Sequence, residues 1–257
     1  MAVTIKTTEE IALLREGGKR LAAIRDTLAR EVKAGVSALD IERIARKLFA
    51  ASGGEPSFLH YKSRKGENSF PASTCISVND AVVHGLPKGE TVFAEGDVVG
   101  IDVGLNYKGL FTDTAVTVGV GKISREMHTL LSVTSQALDV GIKAVANGVH
   151  IGDIGFAIES FVKAHGQYGI VRELAGHGVG YKVHEEPHIP NYGKPKTGET
   201  LHSGMVIAIE PMLNAGAAAI TLDRDGYTYR TKDGSRSAHF EHTVVVTDTG
   251  AEILTAL

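Results

Sequence analysis

Four acidic residues in this 257-residue chain sit where a strand has little structural use for them. Asp102 interrupts Val98-Val99-Gly100-Ile101-Asp102-Val103, and Asp113 lies early in the strand-like run from Phe111 to Val120. Glu210 follows Met205-Val206-Ile207-Ala208-Ile209, and Glu241 heads the β-branched run His242-Thr243-Val244-Val245-Val246. Burying an unpaired carboxylate is very costly, so each needs a partner. Taken singly, Asp102 also fits a strand-end residue capping a turn, and Glu241 fits a partner of Arg236. Together, four buried negative charges require cations. A ligand set this rich in oxygen suits two divalent first-row ions bridged by shared carboxylates, a pair able to activate water.

Histidine could complete such a site. Gly176-His177-Gly178-Val179-Gly180 places an imidazole between glycines, where backbone can approach closely. His184-Glu185-Glu186-Pro187 mirrors His84-Gly85-Leu86-Pro87. The other histidines fall in plainer settings. His60, His128, His150, His165 and His202 read as solvated surface groups, and His188, His239 and His242 lie near the proposed site but have no partner in the repeat, so no role is assigned to them.

The elements that must carry these residues follow from pattern. Thr7 and Glu10 have capping-box spacing, and Ile11, Leu14, Leu21 and Leu28 predict a long helix ending near Lys33. Ser37 and Asp40 cap a second helix with Ile41, Ile44, Ala45, Leu48 and Phe49 on one side, stopped by Gly53-Gly54. A polar loop spans Glu55 to about Pro71. Strands are expected at Ile76–Val78, Ala81–Val83, Val92-Phe93, Val98–Val103 and Phe111–Val120, with a hairpin turn at Asn106-Tyr107-Lys108-Gly109. Helices from about Ser124 to Val145 and from Asp153 to Ala164 come next, and the remainder is strand-like and Gly-rich.

An internal repeat organises the whole. Gly35-Val36-Ser37-Ala38-Leu39-Asp40-Ile41 aligns with Gly148-Val149-His150-Ile151-Gly152-Asp153-Ile154, each followed by a helix and a glycine, Gly53 and Gly166. Gly96–Asp102 aligns with Gly204–Glu210, and Asp113–Val116 with Glu241–Val244. Asp102 is thus matched with Glu210 and Asp113 with Glu241. Two helices, strands and two acidic positions recur, so pseudo-twofold symmetry would gather the carboxylates near one axis. No Pro- or Ser-rich linker separates the halves, of about 8–120 and 124–254, which predicts one catalytic domain over 1–257.

The ordered set His84, Asp102, Asp113, His177, His184, Glu210 and Glu241 resembles the methionine aminopeptidase family in its shorter, type I form. Val83-His84-Gly85, Ile101-Asp102-Val103, Gly176-His177-Gly178, His184-Glu185-Glu186-Pro187, Ile209-Glu210-Pro211-Met212 and Phe240-Glu241-His242-Thr243 carry the likeness, which runs over essentially the whole chain. The resemblance implies an α/β (α+β) pita-bread fold, a pseudo-twofold antiparallel sheet platform with helices on its outer face. It implies Asp102, Asp113, His177, Glu210 and Glu241 as ligands to two divalent ions (Co, Mn, Fe or Zn), with Asp113 and Glu241 bridging. It further implies that a metal-bridging hydroxide attacks the carbonyl after an N-terminal methionine, with a small second residue preferred. Glu210 would shuttle the proton, His184 would donate to the oxyanion, and His84 would face the scissile bond.

A methionine side chain calls for an apolar, polarisable slot. By position in the family, Cys75, Phe70, Tyr227 and Val183 would line it. Phe70 stands where the family has tyrosine, Tyr227 where many relatives carry tryptophan, and Val183 where a bulkier aromatic is usual; this predicts a somewhat wider slot. Lys62 to Ser69 reads as a small insertion beside Tyr61.

Composition limits the alternatives. Apolar residues make up 43% and charged residues 22%, and the net charge of -3 comes with no long run of one sign. That disfavours a nucleic-acid or anionic-membrane surface. A single cysteine, Cys75, precludes an intrachain disulfide. No signal-peptide pattern opens the chain and no apolar run approaches ~20 residues, so the expected setting is the cytoplasm. The resemblance further implies transient contact with ribosomes, and a monomer is expected. The rivals are a proline-specific aminopeptidase or prolidase of the same fold, and a metal-free pita-bread binding module. The first usually carries an additional N-terminal domain, whereas here the catalytic helices begin at once. The second would have lost ligands that this chain retains.

Overall fold

The computed structural model describes residues 3–62 and 68–257. Its elements in order are α1 (Thr8–Glu31), α2 (Ala38–Ser52), β1 (Glu55–Pro56), β2 (Thr74–Val78), β3 (Ala81–Val83), β4 (Val98–Tyr107) and β5 (Leu110–Gly119). Then come α3 (Arg125–Lys143), α4 (Ile151–His165), β6 (Gly169–Ile170), β7 (Gly176–Gly178), β8 (Glu185–Ile189) and β9 (Val206–Ile209). The chain closes with β10 (Met212–Asn214), β11 (Ile220–Leu222), β12 (Tyr229–Thr231), β13 (Ser237–His239), β14 (Glu241–Val246) and β15 (Ala251–Ile253).

Local chemistry fixes the helix starts. Thr7 accepts from the Glu10 amide while Glu10 accepts from the Thr7 amide, and Ser37 with Asp40 repeats the exchange. Ser124 caps α3 through the Met127 amide, and at α4 Asp153 accepts from the His150 amide. Helix α1 ends two residues earlier than its periodicity suggests, and α4 begins two residues sooner, at Ile151.

The main sheet runs β1-β4-β5-β14-β9-β7-β8, with β2 also on β4 and β15 on β14, and every pairing is antiparallel. Alternation along β4 sends Val99, Ile101, Val103, Leu105 and Tyr107 into a core with Leu21, Ile24 and Leu28 of α1 and Ile41, Ala45 and Phe49 of α2. Gly100, Asp102 and Gly104 therefore face the opposite side. A second core joins Leu130 and Leu138 of α3, Ile154 and Ile158 of α4, Ile207 and Ile209 of β9, and Val244 and Val246 of β14. Each fully buried Leu or Ile contributes roughly 1.5–3 kcal/mol. The helices thus cover one face and leave the other to the acids, in a mixed α/β fold with a curled antiparallel sheet.

One expected strand is absent. Val92 makes only an isolated bridge to Ser37, and the Phe93 amide donates to the Val36 carbonyl. Phe93 is buried in the α1–α2 core while Val92 is exposed, so the pair plugs that core's edge instead of extending a sheet.

Candidate metal centre

The acids converge where the two halves meet. In β4–β5, Asp102 stands opposite Ala115 and Asp113 opposite Gly104, making Asp102 and Asp113 diagonal neighbours on one face. In β9–β14, Ile209 stands opposite His242, and continuing that register sets Glu210 beside Glu241. The seam between β5 and β14 is stitched by side chains. The Thr114 hydroxyl donates to the Glu241 carbonyl (2.8 Å), and the Thr243 hydroxyl donates to the Asp113 carbonyl (2.8 Å) while accepting from the Asp113 amide (2.9 Å). Arg25, reaching from α1, donates to Thr114 (2.8 Å) and to the Thr255 carbonyl (3.1 Å). The backbone beneath Asp113 and Glu241 is therefore fixed from both halves.

His177 sits on β7 between strands that press closely. A Cβ at residue 176 would fall 2.3 Å from the Ala208 carbonyl oxygen, and one at 178 would fall 2.2 Å from that of Glu186. Only glycine fits on either side, which explains the Gly-His-Gly signature. His177 Nδ1 lies 2.9 Å from the Gly178 carbonyl, and a carbonyl only accepts, so Nδ1 carries the proton. In the neutral ring Nε2 is then a bare lone pair, 3.5 Å from Glu210 Oε1. Two acceptors facing each other call for a cation or proton between them.

The rest of the cluster makes the same demand. Ligand atoms of Asp113, His177 and Glu241 all lie within 4.8 Å of one another, and all three residues are buried. Asp102 Oδ1, Asp113 Oδ1, Glu241 Oε1 and His239 Nε2 are buried without a hydrogen-bond partner. Orphaned acceptors of this kind are expensive unless a cation satisfies them. Burial first, then the neighbouring carboxylates, holds Asp113 and Glu241 well above the usual carboxylate range. Asp102 is pushed up to about 7 by burial, with His239 pulling against the shift and Glu210 adding to it. Carboxylate oxygens and a neutral imidazole nitrogen are the donor set that divalent first-row metals take, so these residues fit a metal. Arg236, the alternative partner for Glu241, instead donates to Asn79 (3.1 Å).

The sequence-derived residues outside the acid cluster are also brought near. His84 is held at a left-handed φ of 58°, and its ring meets Tyr229 edge-on at 5.8 Å. Burial lowers its pKa to about 4, so it is a neutral ring at pH 7. The His184 ring meets that of His177 at 4.3 Å, and its Nδ1 lies 2.7 Å from the Tyr61 hydroxyl. Its outer edge is open to solvent.

Cys75, Phe70 and Val183 pack with Phe58 and Ala72 into a small buried cluster, with Tyr61 and Tyr227 against it. Phe70 and Tyr227 meet edge-on at 5.6 Å. Cys75 stands directly opposite Asp102 in the β2–β4 ladder, so the apolar cluster adjoins the acids by one strand spacing. Burial, then the charge of Asp102, pushes the Cys75 thiol up, which leaves it a neutral apolar surface. Residues 63–67, the centre of the Lys62–Ser69 insertion, lie outside the described residues.

Sequence reasoning missed two residues. His239, read as near the site but given no role, is buried with Nε2 3.5 Å from Glu210 Oε2. Its position two residues before Glu241 was a usable signal. Glu42, which falls inside the predicted second helix and was given no role, is buried and accepts from the amides of Ser73 (2.9 Å) and Thr74 (3.1 Å), pinning the start of β2 just before Cys75. Among the remaining histidines, His60, His128, His165, His188 and His202 are exposed and His150 caps α4. His242 turns away from the acids, within 2.9 Å of Thr255 Oγ1.

Comparison with known proteins agrees with this geometry. The profile of metallopeptidase family M24 matches residues 12–248. A methionine aminopeptidase of Aquifex aeolicus is 47% identical, with all of both chains aligned. The crystal structure of methionine aminopeptidase from Thermotoga maritima superposes with a TM-score of 0.94 at 41% identity, covering 100% of both chains. A prolidase from Pyrococcus furiosus shares the fold, with a TM-score of 0.78 at 24% identity, but this chain spans 65% of it.

Proposed function

We infer that this chain, which belongs to metallopeptidase family M24, removes the N-terminal methionine from peptides and proteins, as a metal-dependent hydrolase. The observation that carries the metal-dependent chemistry is the convergence of Asp113, His177 and Glu241 with their orphaned buried atoms. We assign Asp102, Asp113, His177, Glu210 and Glu241 as the ligands of two divalent ions, drawn from cobalt, manganese, iron and zinc. When bound, such ions lower the pKa of water toward neutrality and polarise the scissile carbonyl.

The chain's own residues do the rest. Glu210, within 3.5 Å of both His177 and His239, takes the proton from the attacking water and returns it to the leaving amine. His184, oriented by Tyr61, donates to the carbonyl oxygen as negative charge develops there. His84, neutral at pH 7, faces the scissile bond. Cys75, Phe70, Val183 and Tyr227 take the methionine side chain, aided by Phe58 and Tyr61. A small second residue is preferred.

Halves 8–120 and 124–254 act as one catalytic domain, since each supplies ligands the other lacks. Among the described residues no helix is long and apolar enough to cross a membrane. We place the enzyme in the cytoplasm as a monomer that meets nascent chains in transient contact with the ribosome. The test is hydrolysis of Met-Ala-Ser against Ala-Pro-Ala by Mn²⁺-reconstituted protein, with Glu241→Ala as control. Cleavage of Met-Ala-Ser alone, lost in the variant, is expected. Cleavage of Ala-Pro-Ala alone would replace this reading with the proline-specific one.

A further inference from the structure

Six residues, Val179 to His184, connect β7 to β8 and carry both Val183, which enters the apolar cluster, and His184, which lies over His177. Their outer side is solvent: Tyr181, Lys182 and His184 are all exposed. What fixes this connection is the first residue after it. Glu185 turns its side chain away from the acids and toward the segment that precedes α1. One carboxylate oxygen accepts from the Thr4 hydroxyl (2.6 Å) and from Lys6 Nζ (2.8 Å). The other accepts from the amides of Lys182 (2.8 Å) and Tyr181.

The ion pair is sealed, with the Lys6 side chain 1% and that of Glu185 5% exposed. Lys6 Nζ also donates to Thr4 Oγ1, and its stem crosses Gly180, where a Cβ would fall 2.3 Å from Lys6 Cε. The Lys6 amide donates to the Gly204 carbonyl (2.9 Å), and the Tyr181 hydroxyl donates to Glu10 (2.8 Å), the residue that closes the α1 capping box. Segment and connection are 179 residues apart in sequence, so this contact exists only for the tertiary structure.

We propose that Lys6 and Glu185, sealed by Thr4, form a latch through which the segment before α1 positions His184 and Val183 over the metal-binding face. Neither residue touches substrate; both are positioning residues. The proposal rests on the reading of His184 and Val183 as substrate-facing. A buried ion pair broken on one side leaves the other charge uncompensated, and the cheapest relief is for Glu185 to swing out to water. That swing would release the connection and displace His184, and displacements near 1 Å are enough to cost roughly 100-fold in rate.

Global loss of stability would scale activity on every substrate equally, because the folded fraction cancels in a ratio. The informative quantity is therefore kcat/KM for Met-Ala-Ser divided by that for Leu-Ala-Ser, measured with Mn²⁺-reconstituted Lys6→Met and Glu185→Gln, with metal content determined for each. A roughly tenfold fall in kcat with unchanged metal content, and a ratio shifted at least about fivefold, is expected. An unchanged ratio, with kcat following the folded fraction alone, overturns the latch. Should both variants fail to fold, Thr4→Val removes only the hydroxyl that donates to Glu185 and accepts from Lys6, leaving the ion pair, and hydrogen exchange at the amides of residues 180–185 replaces the kinetic readout. Faster exchange there than in the parent supports the latch, and equal exchange refutes it. A parent protein inactive on both peptides would refute the aminopeptidase reading instead, and the exchange comparison would still judge the latch.

Discussion

The two halves of the molecule are built alike and equipped differently. Each lays two helices against one face of a strand pair and turns two carboxylates to the other, Asp102 and Asp113 in the first, Glu210 and Glu241 in the second. The ladders are not identical: Asp113 stands two residues off from Asp102, whereas the register of β14 sets Glu241 beside Glu210. A slip of two preserves the face, which a slip of one would not. The difference lies in what surrounds the acids. The first half adds Phe58, Phe70 and Cys75 to the apolar cluster and one histidine, His84; the second adds Val183 and Tyr227 to that cluster and three histidines, His177, His184 and His239. If the site is the one proposed above, a duplicated scaffold supplies the ligands, while the apolar cluster and the histidines are assembled from both halves.

If the halves are equal partners in holding metal, Asp113→Ala and Glu241→Ala should do equal damage. Each is expected to lower kcat/KM on Met-Ala-Ser by roughly 10³-fold or more, with metal content falling in parallel. One variant retaining metal and activity would break the symmetry.

Smaller in free energy, about 2.7 kcal/mol at a hundredfold excess of metal over Kd, is the stabilisation that metal confers. Its pH dependence follows from the raised acids. In metal-free protein Asp102 keeps its proton up to about 7, while the unfolded chain releases it near the ordinary value of about 4. Between those values the unfolded state binds fewer protons, so metal-free stability falls as pH rises. The gap in Tm between metal-loaded and chelator-treated protein should therefore widen from pH 5 to pH 8. A gap that narrows would contradict the assignment.

The imidazoles unique to the second half can be ranked. His239→Ala should cost about 10–100-fold in kcat/KM through Glu210, while His188→Ala, at an exposed ring, should cost nothing measurable. On the apolar side, Val183→Phe should reduce kcat/KM for Met-peptides about three- to tenfold by overfilling the slot, and an unchanged value would remove Val183 from it. Least of all, Thr7→Ala and Ser37→Ala should each lower stability by about 1 kcal/mol with kcat unaffected, as read by urea unfolding.

The acids were legible because a carboxylate in an apolar strand is conspicuous and the repeat paired them. Helix starts were legible because a capping box is a local exchange between residues three apart. His239 was legible only as a neighbour of the site through its closeness to Glu241, because it has no counterpart in the repeat and its approach to Glu210 exists only in the tertiary structure. Glu42 and the Lys6–Glu185 pair were invisible for a related reason. Glu42 looks like any helix-surface acid until Ser73 and Thr74 arrive, and Lys6 looks solvated until Glu185 covers it. Val92-Phe93 misled because a β-branched and an aromatic residue together suit a strand as well as a core plug.

The threonine stitches across the β5–β14 seam also bear on how the protein comes to be made. Thr243 and Asp113 are 130 residues apart, whereas β4 and β5 fold back through a tight turn at Lys108-Gly109. Closing the long loop costs about 2 kcal/mol more than closing one of ten residues. The β4–β5 hairpin is therefore expected to close at a lower entropic cost than the seam. With the ligands proposed above, tight metal binding is thus expected only once the β5–β14 seam has closed, bringing the Asp113 and Glu241 backbones together.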